Sequence, residues 1–156
     1  MTRSPACDGT PRRLPSRFHV LRSPRGVRRR SENLEIIEQE KLVPGVKEFT
    51  GPAVAKMLAK LKYHPLVGEV RSIGLLGAIE LVADKRARRC FAALGRVGLI
   101  CRDHFFRDGL IMRHVFDTIV TASPLIWRRE QFDEAEVLIR RRLEPTLNDV
   151  AGELAA

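Results

Sequence analysis

The chain alternates between segments with helical periodicity and segments rich in strand-forming residues, and this alternation restricts the fold more than any other feature. Beyond residue 31, four segments repeat apolar side chains at intervals of three and four residues, which is typical of amphipathic helices. Between them lie glycine-punctuated runs of β-branched and large apolar residues, which favour short strands. The predicted order is helix, helix, strand, strand, helix, strand, strand, helix. We therefore expect an α+β fold in which a small sheet packs against helices.

The predicted helices are bounded by residues that start or stop helices. Pro44 and Gly45 should end the first helix, Pro52 suits the first turn of the second, and Gly109 is placed to end the third. The helices are predicted over residues 32 to 43, 52 to 63, 95 to 108 and 128 to 147, and the strands over 66 to 83 (two strands or one bent hairpin), 110 to 115 and 118 to 121. The predicted buried faces are Val54, Leu58 and Leu61; Val97, Ile100, Cys101, His104 and Phe105; and Phe132, Ala135, Leu138, Ile139 and Leu143.

Residues 1 to 31 differ sharply in composition from the rest of the chain. They contain nine arginines and four prolines against a single acidic residue, Asp8, whereas the remainder is nearly neutral. Because this segment shows neither helical nor strand periodicity, it cannot bury enough apolar surface to offset the entropy of ordering it. We predict a disordered basic tail over residues 1 to 31 and one folded domain over residues 32 to 150.

Metal binding, membrane insertion and secretion are not indicated. Cys101 and His104 lie one helical turn apart, but a zinc site needs further ligands at compatible spacing, so no metal site is predicted. The longest apolar runs are well short of the roughly 20 residues that cross a bilayer. No apolar segment follows the arginines as it would in a secretory signal, so we expect a cytoplasmic protein without a membrane partner.

Four segments of the folded part are familiar in sequence, order and spacing. Residues 32 to 38, 64 to 71, 74 to 82 and 109 to 113 read ENLEIIE, HPLVGEVR, GLLGAIELV and GLIMR. Together they resemble the C-terminal small domain of class III aminotransferases, and within that family the omega-transaminases most closely. The resemblance extends over about residues 32 to 148.

The resemblance implies a homodimeric enzyme of fold type I, in which pyridoxal phosphate forms a Schiff base with a lysine of a separate large domain. The cofactor acts as the electron sink, and the amino group passes from an amine or amino acid to a keto acid such as pyruvate. In the family that lysine precedes every segment matched here, so its role falls on none of the lysines of this chain. No catalytic or cofactor-binding residue is therefore predicted, and the chain alone is not expected to be an enzyme.

By the same resemblance, Arg113 matches the family arginine that pairs with the substrate carboxylate. A guanidinium offers a rigid fork for bidentate binding of a carboxylate. The residues alone also permit a structural arginine at a strand end, paired with Asp117 or with solvent. Three places depart from the family pattern. Phe116 stands where a small residue, often glycine, is usual, and Ala122-Ser123-Pro124 stands where a Ser-Pro-Pro run is usual. Arg128 stands where a serine or threonine cap is expected.

Two other functions and an unusual origin of the tail stay open. The basic tail could bind nucleic acid phosphates, although the folded part is nearly neutral and carries no groove-reading motif. An isolated small domain could also serve as a non-catalytic interaction domain.

As to origin, a one-base frame shift lets residues 18 to 26 spell Ser-Thr-Tyr-Ser-Gly-His-Pro-Val-Ala, which resembles the family segment before the first helix. Residues from about 17 to 31 are thus interpreted as coding sequence read out of frame, whereas residues 1 to 16 do not decode in this way. The nucleotide sequence of the locus decides this hypothesis.

Overall fold

A computed structural model of the chain describes residues 24 to 154, with side chains from residue 31 onward. The chain divides into two units between Val43 and Pro44. The first unit contains helix α1, Pro24–Gln39. The second contains a four-stranded sheet and the helices packed on one of its faces.

Helix α1 begins before the predicted start of the folded domain. Its first described residue is Pro24, which fits the first turn of a helix, and the arginines that follow are good helix formers. The predicted boundary at residue 31 therefore lies inside a helix. The prediction of disorder for residues 1 to 23 falls outside the described residues.

The end of α1 also differs from the prediction. The helix ends at Gln39, and Lys41 then adopts a left-handed conformation with φ 50°. Pro44 and Gly45, the predicted stop, instead belong to a short helix, α2, Leu42–Gly45, which continues into a π-helical turn, Val46–Thr50. The predicted stop is wrong because the left-handed residue has already broken the hydrogen-bond ladder three residues earlier.

The remaining elements follow the predicted order, and the α+β class is confirmed. The segment from 66 to 83 is a hairpin, and the four strands form one antiparallel sheet in the order β1-β2-β4-β3. No described helix is both long and apolar enough to cross a membrane. The helices are α3, Gly51–Leu61, α4, Arg96–Arg107, α5, Arg129–Asp149, and α6, Ala151–Leu154; the strands are β1, Val67–Ile73, β2, Leu76–Leu81, β3, Arg113–Val115, and β4, Thr118–Ala122.

One face of the sheet packs against the helices. Along β2, Gly77, Ile79 and Leu81 are buried, and a Cβ atom on Gly77 would lie 2.5 Å from Cδ1 of Leu58 in α3. The core therefore fills the space between this face and the helices. The predicted buried faces of α3, α4 and α5 are confirmed except at three residues that are only half-buried: Ile100, His104 and Leu138.

The opposite face of the sheet is exposed. Residues paired across neighbouring antiparallel strands project to the same side. Arg71, Ala78, Val120 and Arg113 therefore form one row on the exposed face. Ile73 lies on the same face and is 78% exposed. This face brings Arg113 to the surface of the molecule, away from the helices.

Candidate carboxylate-binding site

Arg113 is the first residue of β3, which lies at one edge of the sheet. It pairs with Val120 of β4, and its side chain is exposed. Among the residues whose side chains are described, none forms an ion pair with it. The N–H donors of its guanidinium are consequently available to an anion from outside the chain.

A two-residue turn of Phe116 and Asp117 joins β3 to β4 and lies three residues from Arg113. Phe116 adopts φ 52°, a left-handed conformation that glycine takes freely and an aromatic residue takes at a cost. Its carbonyl oxygen accepts a hydrogen bond from Nδ1 of His114 at 3.2 Å. The backbone of this turn explains why a glycine suits the position where this chain has a phenylalanine.

The side chain of Asp117 binds backbone groups at the start of helix α4 and does not pair with Arg113. Its side chain is buried, and its two carboxylate oxygens accept hydrogen bonds from the backbone N–H groups of Gly95 and Gly98, each at 2.9 Å. Its carbonyl oxygen accepts from the N–H of Leu81, also at 2.9 Å. A carboxylate at the start of a helix satisfies its orphan donors and is favoured by the helix dipole. The alternative of an Arg113–Asp117 pair is therefore wrong.

Close packing of backbone against backbone reinforces this junction. A Cβ atom on Gly98 would lie 2.0 Å from the carbonyl oxygen of Phe116, so only glycine fits there. Gly95, immediately before α4, adopts φ 85° and contributes no capping side chain. This junction was not predicted from the sequence. The absence of a capping side chain directly before α4 is the one signal that could have indicated a cap from a residue distant in the sequence.

None of the lysines is placed like a residue that forms a Schiff base. Two of them, Lys56 and Lys60, line a cavity of about 280 Å³ between α3 and α5, and Lys60 forms an ion pair with Glu136 there. An amine that attacks a carbonyl at neutral pH is usually desolvated or placed beside another cation. All six lysines instead have exposed side chains: Lys41, Lys47, Lys56, Lys60, Lys62 and Lys85. The described residues therefore do not fit pyridoxal phosphate by themselves.

Cys101 and His104 of α4 have separate roles. Cys101 is fully buried, and burial raises the pKa of its thiol to about 12, while a hydrogen bond with Thr146 offsets only part of the rise. His104 Nε2 lies 2.8 Å from Oδ2 of Asp149. Within the described part of the chain, no group of three or more His, Cys, Asp or Glu side chains is arranged to hold a metal ion.

The start of α5 compensates in part for its unusual cap. Arg128 is the N-cap residue and makes no capping hydrogen bond through its side chain, as a guanidinium has no acceptor. The side-chain oxygen of Gln131 nevertheless accepts from the N–H of Arg128 at 2.6 Å. A capping box consists of two hydrogen bonds. The helix keeps the one that the side chain of Gln131 accepts from the backbone N–H of Arg128, and it lacks the one that a serine or threonine side chain would accept.

No family model matches the chain, but individual proteins and structures do. The putrescine–pyruvate aminotransferase of Pseudomonas aeruginosa is 44% identical over 115 residues, which are 74% of this chain and 25% of that protein. The diaminobutyrate–2-oxoglutarate transaminase of Halomonas elongata is 35% identical over 124 residues, 78% of this chain and 26% of that protein.

Solved structures agree with these relatives. The crystal structure of the omega transaminase from Pseudomonas jessenii, in complex with PMP, matches 77% of this chain and 26% of that chain, with a TM-score of 0.71 and 33% identity. The chain spans about a quarter of the length of the curated relatives it matches. The relatives in sequence and in structure each cover about three quarters of the chain, and the chain is accordingly a fragment of a class III aminotransferase.

Proposed function

We propose that the chain is the C-terminal small-domain portion of an omega-transaminase-like enzyme, in which Arg113 binds the carboxylate of the substrate. In such an enzyme pyridoxal phosphate would carry the amino group from an amine or amino acid to a keto acid such as pyruvate. A homodimer located in the cytoplasm belongs to the same proposal and rests on the resemblance to the family. The chain itself would contribute recognition and no bond-making group.

The exposed, unpaired state of Arg113 carries this proposal. Asp117 is the nearest acidic residue along the chain. Both of its carboxylate oxygens accept hydrogen bonds from backbone N–H groups at the start of α4. Arg113 therefore keeps its charge and its donors for a ligand, and a guanidinium can hold a carboxylate through two parallel hydrogen bonds. Because Arg113 stands at the edge of an exposed sheet face, it could also turn away when the amino donor carries no carboxylate.

The 156-residue chain alone should not catalyse transamination, because its exposed lysines do not form a cofactor site. Purified chain can be incubated with pyridoxal phosphate, an amine and pyruvate, and alanine can be measured against free cofactor. Alanine formation above that background would contradict the proposal that the chain is inactive alone.

The role of Arg113 needs an intact enzyme, which a chimera can supply. Residues 44 to 154 of this chain would replace the matching quarter of the Pseudomonas aeruginosa aminotransferase, and the donor half-reaction would be followed in single turnovers. Arg113→Ala should lower kcat/KM for a carboxylate-bearing donor by a factor corresponding to about 1.5 to 3 kcal/mol and should spare an uncharged amine.

Arg71→Ala is the matched control, since Arg71 lies in the same row of the exposed face. This variant should leave both donors unaffected. Equal losses for the two donors in the Arg113 variant would show that Arg113 is structural.

A further inference from the structure

His64 lies in the turn that joins α3 to β1, and its ring is almost completely buried. The residue is 6% exposed, and Nδ1 accepts a hydrogen bond from the N–H of Leu66 at 3.2 Å. The carbonyl oxygen of His64 accepts from the N–H of Val67 at 3.1 Å. Leu66 and Val67 are both fully buried. The ring of His64 therefore holds Leu66 against the core, and its backbone holds Val67, the first residue of β1.

The direction of the Leu66 bond fixes the protonation state of the ring. Because Nδ1 is an acceptor, the imidazole is neutral and its proton is on Nε2. Nε2 has no hydrogen-bond partner among the described residues and lies 3.5 Å from Oε1 of Glu144, whose side chain is 62% exposed. A second proton has to enter at Nδ1. It would place two N–H donors against each other and abolish the Leu66 bond.

The groups that face the ring act in opposite senses. Burial lowers the pKa of His64 below the usual 6.5, and the carboxylate of Glu144 counteracts this effect. Arg140 of α5 and Lys85 of the loop after β2 are both cationic and lower the pKa further. The folded chain therefore resists protonation at His64 more than the unfolded chain does.

We propose that His64 is an acid-sensitive latch: a proton on Nδ1 breaks its bond to Leu66 and opens the α3–β1 turn while the centre of the sheet remains folded. The latch is independent of the proposed enzymatic function. It depends only on the acceptor role of Nδ1 and on the burial of the residues that this nitrogen holds in place.

The sign of the pH dependence follows from linkage. Near pH 6.5 the unfolded or opened turn takes up a proton, whereas the closed turn does so only at lower pH. Stability rises with pH wherever the opened state binds more protons. The latch is therefore fully closed above pH 6.5, and its stability is lost as the pH falls from there through the lower pKa of the closed turn.

Amide hydrogen exchange in the 156-residue chain tests this directly. Between about pH 8 and about pH 5, protection of the Leu66 N–H, corrected for intrinsic exchange, should fall by up to about tenfold per pH unit once His64 begins to titrate. Protection of the β4 amides should stay constant over the same range. The ring nitrogen shifts of His64 should change from an Nε2–H tautomer to the doubly protonated form in parallel.

Two variants separate the latch from a general acid effect. His64→Asn keeps an oxygen acceptor for the N–H two residues ahead but cannot take up a proton, so protection of Leu66 should become independent of pH. His114→Asn is the control, because Nδ1 of His114 donates to the Phe116 carbonyl and a second proton would not break that bond; it should retain the wild-type response.

Three results would overturn the latch: pH-independent protection of Leu66 in the wild-type chain, an equal fall in His64→Asn, or simultaneous loss of protection in β4. The first and third are measured on the wild-type chain and decide the proposal even where the variant does not fold.

Discussion

Replacing Asp117 with alanine removes the carboxylate that joins the β3–β4 turn to the start of α4. The N–H groups of Gly95 and Gly98 then lose their acceptor. Gly98 is buried, so its N–H cannot reach water unless the packing opens, whereas Gly95 is partly exposed and can. The change deletes little apolar surface. The expected loss of stability therefore comes from the two N–H groups that no longer have a hydrogen-bond acceptor.

The magnitude follows from these two bonds. A hydrogen bond to a charged group contributes about 1.5 to 3 kcal/mol, and a carboxylate at a helix start adds about 0.3 to 1 kcal/mol through the helix dipole. Taking the Gly98 bond in full and discounting the Gly95 bond for replacement by water, we expect Asp117→Ala to lower the free energy of unfolding by about 3 kcal/mol. Asp117→Asn retains one acceptor oxygen and should lose roughly half as much.

Urea unfolding followed by far-ultraviolet circular dichroism measures this loss. Asp133→Ala is the control, because Asp133 is an exposed aspartate on α5. Its effect should stay within about 0.5 kcal/mol, as for most surface substitutions. If Asp117→Ala were no more damaging than Asp133→Ala at an unchanged m-value, the carboxylate would not hold the junction together.

Three further changes test the same region and the core. Phe116→Gly should raise the free energy of unfolding by about 0.5 kcal/mol, because relief of the left-handed backbone exceeds the added entropy of the unfolded chain; a loss in urea unfolding would contradict this. Gly98→Ala should lower the free energy of unfolding by about 3 kcal/mol, since its Cβ would lie 2.0 Å from the Phe116 carbonyl oxygen. Gly152→Ala, with open space around the added Cβ, should leave the free energy of unfolding nearly unchanged. Cys101, with a pKa of about 12 and no exposed surface, should be alkylated only in urea, and modification in the native chain, detected by peptide mapping, would argue against its burial.

Local patterns predicted most of the fold because the helices and strands here follow their own periodicity. The face of α3 formed by Val54, Leu58 and Leu61 is buried as predicted, since residues three and four positions apart share one side of a helix. The end of α1 was not predictable in the same way. Lys41 adopts a left-handed conformation without being a glycine, so composition gave no stop signal before Pro44.

Contacts between distant parts of the chain were beyond the local patterns. Asp117 lies 22 residues from Gly95 and 19 from Gly98, and no periodicity connects them. Viewed along the sequence, an aspartate four residues after an arginine indicates a local ion pair. In the fold the carboxylate instead accepts from two backbone N–H groups at a helix start, because these donors are already in place and no donor side chain has to be ordered.

This assignment links the junction to the proposed function. In the sequence, the proposed role of Arg113 rests only on the resemblance to the aminotransferase family, since a lone arginine at a strand end is ordinary. The structure adds a physical reason that the resemblance does not contain: Asp117 is held by Gly95 and Gly98 and so cannot neutralise the guanidinium. The sheet then presents Arg113 at its edge on the exposed face, with Val120 and Ala78 beside it in the same row. The acidic residue nearest to Arg113 along the chain is thus already bound, which supports the proposed binding of a substrate carboxylate at this face.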